Sequence, residues 1–176
     1  SHIVPPVISS KLPERNGKYI LVNLGGLQNP LWKLSDAIEY ARIITTVLRR
    51  IIPDENLKIA TSKAVASELE GPFITSYSRE EMLEILSKTK CAFMTPGLGN
   101  IYDAAEYDIP TVWLPPANDS QGQQASLLKE NNLVDGFIDW SDILNADFDY
   151  KKEQSDVLNQ ITKAMQLVSA VKMKKA

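Results

Sequence analysis

The feature that most constrains the fold is a regular alternation of short β-branched runs with longer amphipathic stretches, which begins at Lys18. Strands that alternate with helical patterns are typical of βαβ units, in which successive strands are parallel. The predicted strands cover residues 19–24, 57–61, 72–75, 90–95, 110–114 and 136–139. The sequence therefore predicts an α/β domain of the Rossmann-like type, with three layers and a mainly parallel sheet of about six strands.

Capping residues predict where the intervening helices begin. Ser35 is expected to cap a helix that ends near Pro53, and Ser78 with Glu81 has the spacing of a capping box. Ser120 and Gln123 form a second candidate capping box, for a helix that reaches residue 131. Further helices are expected over residues 64–70, from the glycines near 97 to residue 107, and over residues 151–171.

The start of the chain differs from the rest. Ser1 and His2 resemble the remnant of a cleaved tag, and the proline-rich residues 3–13 are expected to form an interdomain linker. Residues 14–176 are predicted to form one domain, since the chain of 176 residues has the length of one ordinary domain. With His2 set aside the chain has no histidine, so we predict neither a histidine-based catalytic triad nor a metal site.

Composition argues against several classes of partner. The formal net charge is −3, so no basic excess favours nucleic acid or anionic lipid. No apolar stretch approaches the roughly 20 residues needed to span a bilayer. The single cysteine, Cys91, excludes a disulfide framework within the chain and suits a reducing compartment. We therefore expect a cytoplasmic protein with no nucleic-acid partner and no membrane span in this chain.

Two glycine-rich loops follow predicted strands: Gly25-Gly26 after the first, and Gly97-Leu98-Gly99 after the fourth. Ligands of open parallel sheets bind at the carboxyl ends of strands, where both loops are expected. A glycine turn that leads into a helix lets a phosphate approach free N–H groups at the positive end of the helix dipole. The alternative is a tight turn with no ligand. Tyr102 stands at the third glycine position of the dinucleotide fingerprint, so that motif is rejected.

Polar side chains follow these loops. Asp103 lies about one helical turn beyond the second loop, where a carboxylate can accept hydrogen bonds from ribose hydroxyls or be stabilised by the helix dipole alone. Gln121 and Gln124 share a helix face, and amides can recognise sugar hydroxyls, although most surface glutamines bind nothing. Trp113 and Trp140 are expected in the core and not as stacking platforms for a ligand.

Residues 95–124 resemble the GT-B glycosyltransferases, the family that includes the bacterial lipid II N-acetylglucosaminyltransferase and the UDP-glycosyltransferases. Residues 91–110 are similar to the family's hydrophobic strand, glycine turn, acidic helix and the x-Pro step that leads into the next strand. Asp103 stands where the family has its ribose-binding glutamate and is one methylene shorter. Gln121-Gly122-Gln123-Gln124-Ala125 is similar to the family's Q-x-x-N-A, whose first glutamine contacts the donor sugar, with Gln124 in place of the asparagine.

Two upstream segments extend the resemblance over roughly residues 19–136. The segment that begins at Gly25-Gly26 is similar to the family's loop that faces the diphosphate and the acceptor, and Ser78-Arg79 begins a segment that resembles the one reading the uracil edge. The implied donor-binding residues are Gly25, Gly26, Leu27, Gln28, Ser78, Arg79, Thr95, Pro96, Gly97, Leu98, Gly99, Asn100, Asp103, Ser120, Gln121 and Gln124.

The resemblance implies the donor-binding, C-terminal half of a hexosyltransferase that moves a sugar from a nucleoside diphosphate, by default UDP with TDP left open, to an acceptor hydroxyl. The acceptor-binding domain, which would precede this one and supply the catalytic base, is missing from the chain, so the chain alone is expected to be inactive and to use no cofactor. Three alternatives stay open: a natural donor-binding subunit of a split glycosyltransferase, the donor half of a nucleotide-sugar hydrolase or 2-epimerase, and a scaffold without a ligand.

Overall fold

The computed structural model describes residues 17–28, 33–49, 52, 56–69, 71 and 73–140. The strands in these residues are β1 (Tyr19–Asn23), β2 (Leu57–Ala60), β3 (Ile74–Thr75), β4 (Thr89–Met94), β5 (Thr111–Trp113) and β6 (Gly136–Phe137). The helices are α1 (Leu34–Arg49), α2 (Lys63–Ala66), α3 (Arg79–Ser87), α4 (Leu98–Glu106) and α5 (Asp119–Glu130). The predicted linker and the predicted helix over residues 151–171 lie outside the described residues.

All six strands pair in parallel in one sheet, in the order β3-β2-β1-β4-β5-β6. The order reverses at β1, which lies between β2 and β4. Loops that leave two neighbouring strands at such a switch point diverge and open a crevice at the carboxyl ends of the strands. The predicted parallel sheet of about six strands is confirmed.

Helices cover both faces of this sheet. Successive residues of a strand point to opposite faces, so Val22 belongs to a buried cluster with residues of α1 and α2, whereas Leu21 belongs to one with residues of α3, α4 and α5. Phe93 and Met94 of β4 divide between the two clusters in the same way. The predicted three-layer, Rossmann-like architecture is therefore confirmed, and the two loops of the predicted site leave from its central strands.

The capping box predicted for α3 is confirmed. The Ser78 hydroxyl accepts a hydrogen bond from the Glu81 backbone N–H at 3.2 Å, and the Glu81 carboxylate accepts one from the Ser78 N–H at 2.7 Å. The other elements fall where predicted with bounds shifted by a few residues. For example, α2 ends at Ala66, where the sequence predicted a helix to residue 70.

Two predicted caps are wrong. Helix α1 begins at Leu34, because the Lys33 carbonyl accepts bonds from the N–H groups of Asp36 and Ala37, and Ser35 lies inside the first turn. The capping box of Ser120 and Gln123 is also absent. Helix α5 is capped by Asn118, whose side chain accepts from the Gln121 N–H at 3.0 Å, so Ser120 is already helical. In both cases the helix begins one residue before the predicted cap.

Candidate functional site

The loops that follow β1 and β4 are joined at the switch point by Thr95. Its backbone N–H donates to the Asn23 carbonyl at 3.0 Å, and its hydroxyl donates to the Gly25 carbonyl at 2.6 Å. The Thr95 side chain is completely buried. Thr95 therefore holds the two loops together, and its hydroxyl does not face the crevice.

Asn100, in the first turn of α4, strengthens the same junction. Its buried amide donates to the Thr95 carbonyl at 2.9 Å and to the Thr95 hydroxyl at 3.1 Å. A Cβ at Gly25 would lie 3.2 Å from the Asn100 amide oxygen, so this close approach favours a glycine. The structure brings Gly25, Thr95 and Asn100 together as predicted, although the two side chains are used within the protein.

Gln121 joins the start of α5 to the same junction. Its amide oxygen accepts from the Ala117 N–H at 2.9 Å, and its amide nitrogen donates to the Gly25 carbonyl at 3.2 Å. The residue is only 3% exposed. Gly26, at φ +72°, adopts the left-handed conformation that favours glycine, and a Cβ there would lie 3.1 Å from the Gln121 amide nitrogen. The Gln121 side chain therefore links the loop before α5 to the loop after β1.

The start of α4 is open. Gly97 is the N-cap residue, and within the described part of the chain no side chain caps the helix. A Cβ at Gly97 or at Gly99 would have no described atom within 4 Å, and Leu98 between them is exposed. The first N–H groups of a helix have no partner inside the helix. At this positive end of the helix dipole, Leu98 and Gly99 are exposed, whereas Asn100 is buried.

Asp103 and Arg79 form an ion pair beside this opening. The two guanidinium nitrogens of Arg79 each donate to a different Asp103 oxygen, both at 3.0 Å. Only 11% of the Asp103 side chain is accessible, whereas 59% of the Arg79 side chain is accessible. The hydrogen bonds to Asp103 raise the pKa of Arg79 above its usual value. The predicted base-binding and ribose-binding residues are therefore in direct contact, with the carboxylate inside and the cation outside.

The remaining predicted residues differ in accessibility. Leu27 and Pro96 are buried, so any ligand contact would use their backbones, and the polar groups of Ser78 are engaged in the α3 cap. Gln28 is exposed. Gln124 donates to the exposed Ser120 hydroxyl at 3.2 Å, and its buried amide oxygen has no hydrogen-bond partner among the described residues.

Two residues that the sequence analysis did not connect with the site hold the loop before α5. The Tyr40 hydroxyl donates to the Pro115 carbonyl at 2.6 Å, and the indole N–H of Trp140 donates to the Pro116 carbonyl at 2.8 Å. Burial raises the pKa of Tyr40 above its usual range. Trp113 is in the core and Trp140 packs against it, as predicted. No local sequence signal linked Tyr40 to a loop 75 residues away.

Two depressions adjoin the loops. A cleft of about 280 Å³ lies between residues 23–28, the end of β2 and the side chains of Tyr77 and Met82. The Thr61 hydroxyl of this cleft is buried and has no partner among the described residues. A wider depression of about 560 Å³ lies at the start of α5, along residues 116–119 with Gly122 and Gln123. The loops therefore border space on both sides of the junction.

Within the described ranges, no three His, Cys, Asp or Glu side chains are grouped so that they could hold a metal ion. No helix in the same part of the chain is both long and apolar enough to cross a membrane.

Together, the fold and this edge define an open α/β domain of the Rossmann-like class, with glycine loops after both strands of its switch point. Among solved structures it is similar to the glycosyltransferase of kitacinnamycin, with 18% sequence identity and a TM-score of 0.51 over 97% of this chain and 44% of that one. It also matches the glycosyltransferase SnogD from Streptomyces nogalater, with 14% identity and a TM-score of 0.44 over 98% of this chain and 48% of that one.

At this level of identity, the likeness to the kitacinnamycin glycosyltransferase shows a shared fold. The chain spans less than half the length of either glycosyltransferase. No protein-family model matches the sequence, and neither does any curated protein sequence.

Proposed function

We propose that this chain is the donor-binding domain of a glycosyltransferase and that it binds a nucleoside diphosphate sugar at the switch-point crevice. The observation that carries the proposal is the open start of α4, where no side chain caps the helix, Leu98 and Gly99 are exposed, and the buried carboxylate of Asp103 lies about one turn further on. The fold shared with the kitacinnamycin glycosyltransferase and the motif resemblance support the same reading. UDP is the expected nucleotide, with TDP as the alternative.

The diphosphate would lie on the start of α4. Gly97 and Gly99 present no Cβ there, so phosphate oxygens can reach the backbone N–H groups of Leu98, Gly99 and Asn100. The Gly25-Gly26 loop would close the other side. Preorganised donors of this kind contribute roughly 3–4 kcal/mol each when they meet charge that develops on a leaving group. The donor would therefore need no obligatory metal ion.

The ribose and the base would lie at the Arg79–Asp103 pair. Each Asp103 oxygen accepts one hydrogen bond from Arg79, and a carboxylate oxygen can accept another from a ribose hydroxyl. Arg79 neutralises a carboxylate that would otherwise repel the diphosphate, and its unused N–H groups can donate to a base carbonyl. In this arrangement the guanidinium of Arg79 would fill part of the space left by the shorter side chain of Asp103.

The donor sugar would lie at the start of α5. The buried amide oxygen of Gln124 has no described partner, and a rotation of this side chain would let it accept from a sugar hydroxyl, with the exposed Ser120 beside it. Gln121 would contribute the lone pair that its bond to Ala117 leaves free. The acceptor and the catalytic base would come from a further domain, so this chain alone would bind the donor without transferring the sugar.

Calorimetric titration of the chain with UDP, UDP-sugars and TDP tests this proposal. Asp103→Asn should weaken UDP binding about tenfold, because a charged hydrogen-bond acceptor becomes neutral. The matched control is Glu84→Gln, the same carboxylate-to-amide change at an exposed position late in α3, which should bind like wild type. Equal binding by wild type and Asp103→Asn would refute the ribose assignment. A folded chain that binds none of these nucleotides at millimolar concentration would refute the donor site.

A further inference from the structure

The short loop between β5 and α5 is held from outside the proposed donor site. Tyr40 of α1 reaches the Pro115 carbonyl, and Trp140, which follows β6, reaches the Pro116 carbonyl. The two rings contact each other edge to face, with centroids 5.3 Å apart. Proline has no N–H and a fixed φ, so the carbonyls of this loop are its available main-chain anchors. We call Tyr40 and Trp140 together the aromatic clamp.

The loop that the clamp holds is connected to the donor site through two side-chain amides, that of Asn118, which donates to the Gly26 carbonyl at 3.4 Å, and that of Gln121. Ala117, the next residue along the loop, donates its N–H to the Gln121 side chain at 2.9 Å. The other end of that side chain donates to the Gly25 carbonyl at 3.2 Å. A shift of the loop would therefore remove one of the two bonds that orient Gln121, and it would move Asn118, which caps α5.

The other half of the site has separate support. The start of α4 is held through the bonds of Asn100 to Thr95 and of Thr95 to the loop after β1, none of which passes through the loop that the clamp holds. A change in the clamp should therefore affect the start of α5 and leave the opening above Gly97 and Gly99 in place.

We infer that Tyr40 and Trp140 are positioning residues for the sugar half of the donor site, an inference that rests on the proposed function. They touch no donor themselves; they fix the loop that orients Gln121 and the start of α5. A purely structural role would instead weaken every ligand equally, or none.

Titration of the whole chain with UDP, UDP-glucose and UDP-N-acetylglucosamine tests this inference in Tyr40→Phe and in Trp140→Phe. Each variant keeps an aromatic ring and loses one hydrogen-bond donor. The dissociation constant for a UDP-sugar should rise about fivefold in each variant, while that for UDP stays within about twofold of wild type. Tyr19→Phe, at the amino end of β1 and so at the far end of the sheet from the site, is the control and should change neither dissociation constant. Because Trp140 is only partly buried, its variant should fold even if Tyr40→Phe does not.

The outcomes separate the two proposals. Suppose that wild type binds both ligands and that the variants weaken the binding of UDP and of UDP-sugars equally, or weaken neither. That result overturns the positioning role and leaves the donor site intact. A wild-type chain that binds neither UDP nor UDP-sugars overturns the proposed function and the inference with it.

Discussion

Asp103 is the one carboxylate of the proposed site that is nearly buried, and a buried charge is stable only when it is paired. Arg79 supplies that pairing with two parallel hydrogen bonds, while more than half of its own side chain stays in water. The geometry is the bidentate one that favours arginine over lysine. At the residue scale, the ion pair therefore stabilises the fold by itself, and a hydrogen bond from ribose to Asp103 would come in addition to it.

Removing Arg79 should therefore affect stability as well as binding. Arg79→Ala is expected to lower the free energy of unfolding by about 1–2 kcal/mol, because water can replace the guanidinium only in part. Arg79→Lys should lose less, since the charge remains but the paired geometry does not. Urea denaturation of both variants, alone and combined with Asp103→Asn, measures the coupling. A coupling energy near zero would show that the ion pair contributes nothing.

Gly26 makes a second residue-scale test, because it has both a positive φ and a close neighbour. Gly26→Ala should destabilise the chain by about 1–2 kcal/mol, through the left-handed backbone and the approach of its Cβ to Gln121. Gly122→Ala is the matched control: this glycine is helical with no described atom near its Cβ position, so alanine should stabilise by up to about 1 kcal/mol. Thermal unfolding distinguishes the two variants. Equal shifts of their melting temperatures would contradict the argument from the left-handed backbone of Gly26.

Helix starts show where sequence reasoning succeeds at the scale of the element and where it fails. The Ser78–Glu81 box was predictable because both partners are local. The Ser120–Gln123 spacing was just as good a signal, yet Asn118 caps α5. Asn and Ser are nearly equivalent caps, so the choice depends on where the preceding prolines place the chain. That position is set by Tyr40 and Trp140, which lie far away in the sequence.

The cap assignment leads to a direct comparison of two variants. Asn118→Ala should cost about 1 kcal/mol of stability, because the Gln121 N–H loses its acceptor. Ser120→Ala should cost little, since the serine is exposed and already helical. Urea denaturation curves of the two variants are the measurement. A greater loss of stability for Ser120→Ala than for Asn118→Ala would support Ser120 as the cap, as the sequence predicted.

At the scale of the whole molecule, the architecture followed from the sequence and the details of the site did not. Alternating strands and amphipathic helices predict a parallel sheet with helices on both faces, because periodicity reports which face of each element is buried. The motifs placed the glycine loops at the correct edge. The side-chain pairings, such as Arg79 with Asp103 or Gln121 with Gly25, depend on distances across the sheet that no local pattern encodes.

Buried tyrosines make the whole molecule sensitive to alkaline pH. Burial raises the pKa of Tyr40 and also that of Tyr77. Below the unfolded-state pKa of about 10, both states keep the tyrosine proton and stability is unaffected. Above it, the unfolded chain releases the Tyr40 proton that the native chain retains, so the free energy of unfolding falls by up to about 1.4 kcal/mol per pH unit through this residue.

Tyr40→Phe should remove its share of this loss. Urea denaturation between about pH 9 and pH 11 should give a shallower decline for the variant than for wild type. Identical slopes for wild type and Tyr40→Phe would contradict the role assigned to burial of this hydroxyl.

The central claim is that a diphosphate lies on the open start of α4. Backbone amide NMR spectra recorded during titration with UDP test it most directly, because each N–H reports its own surroundings. We expect the largest, saturable shifts at Leu98, Gly99 and Asn100, with those of Lys18 and Lys90, at the amino ends of β1 and β4, unchanged. Saturable shifts concentrated elsewhere, or no shifts at millimolar UDP, would contradict it.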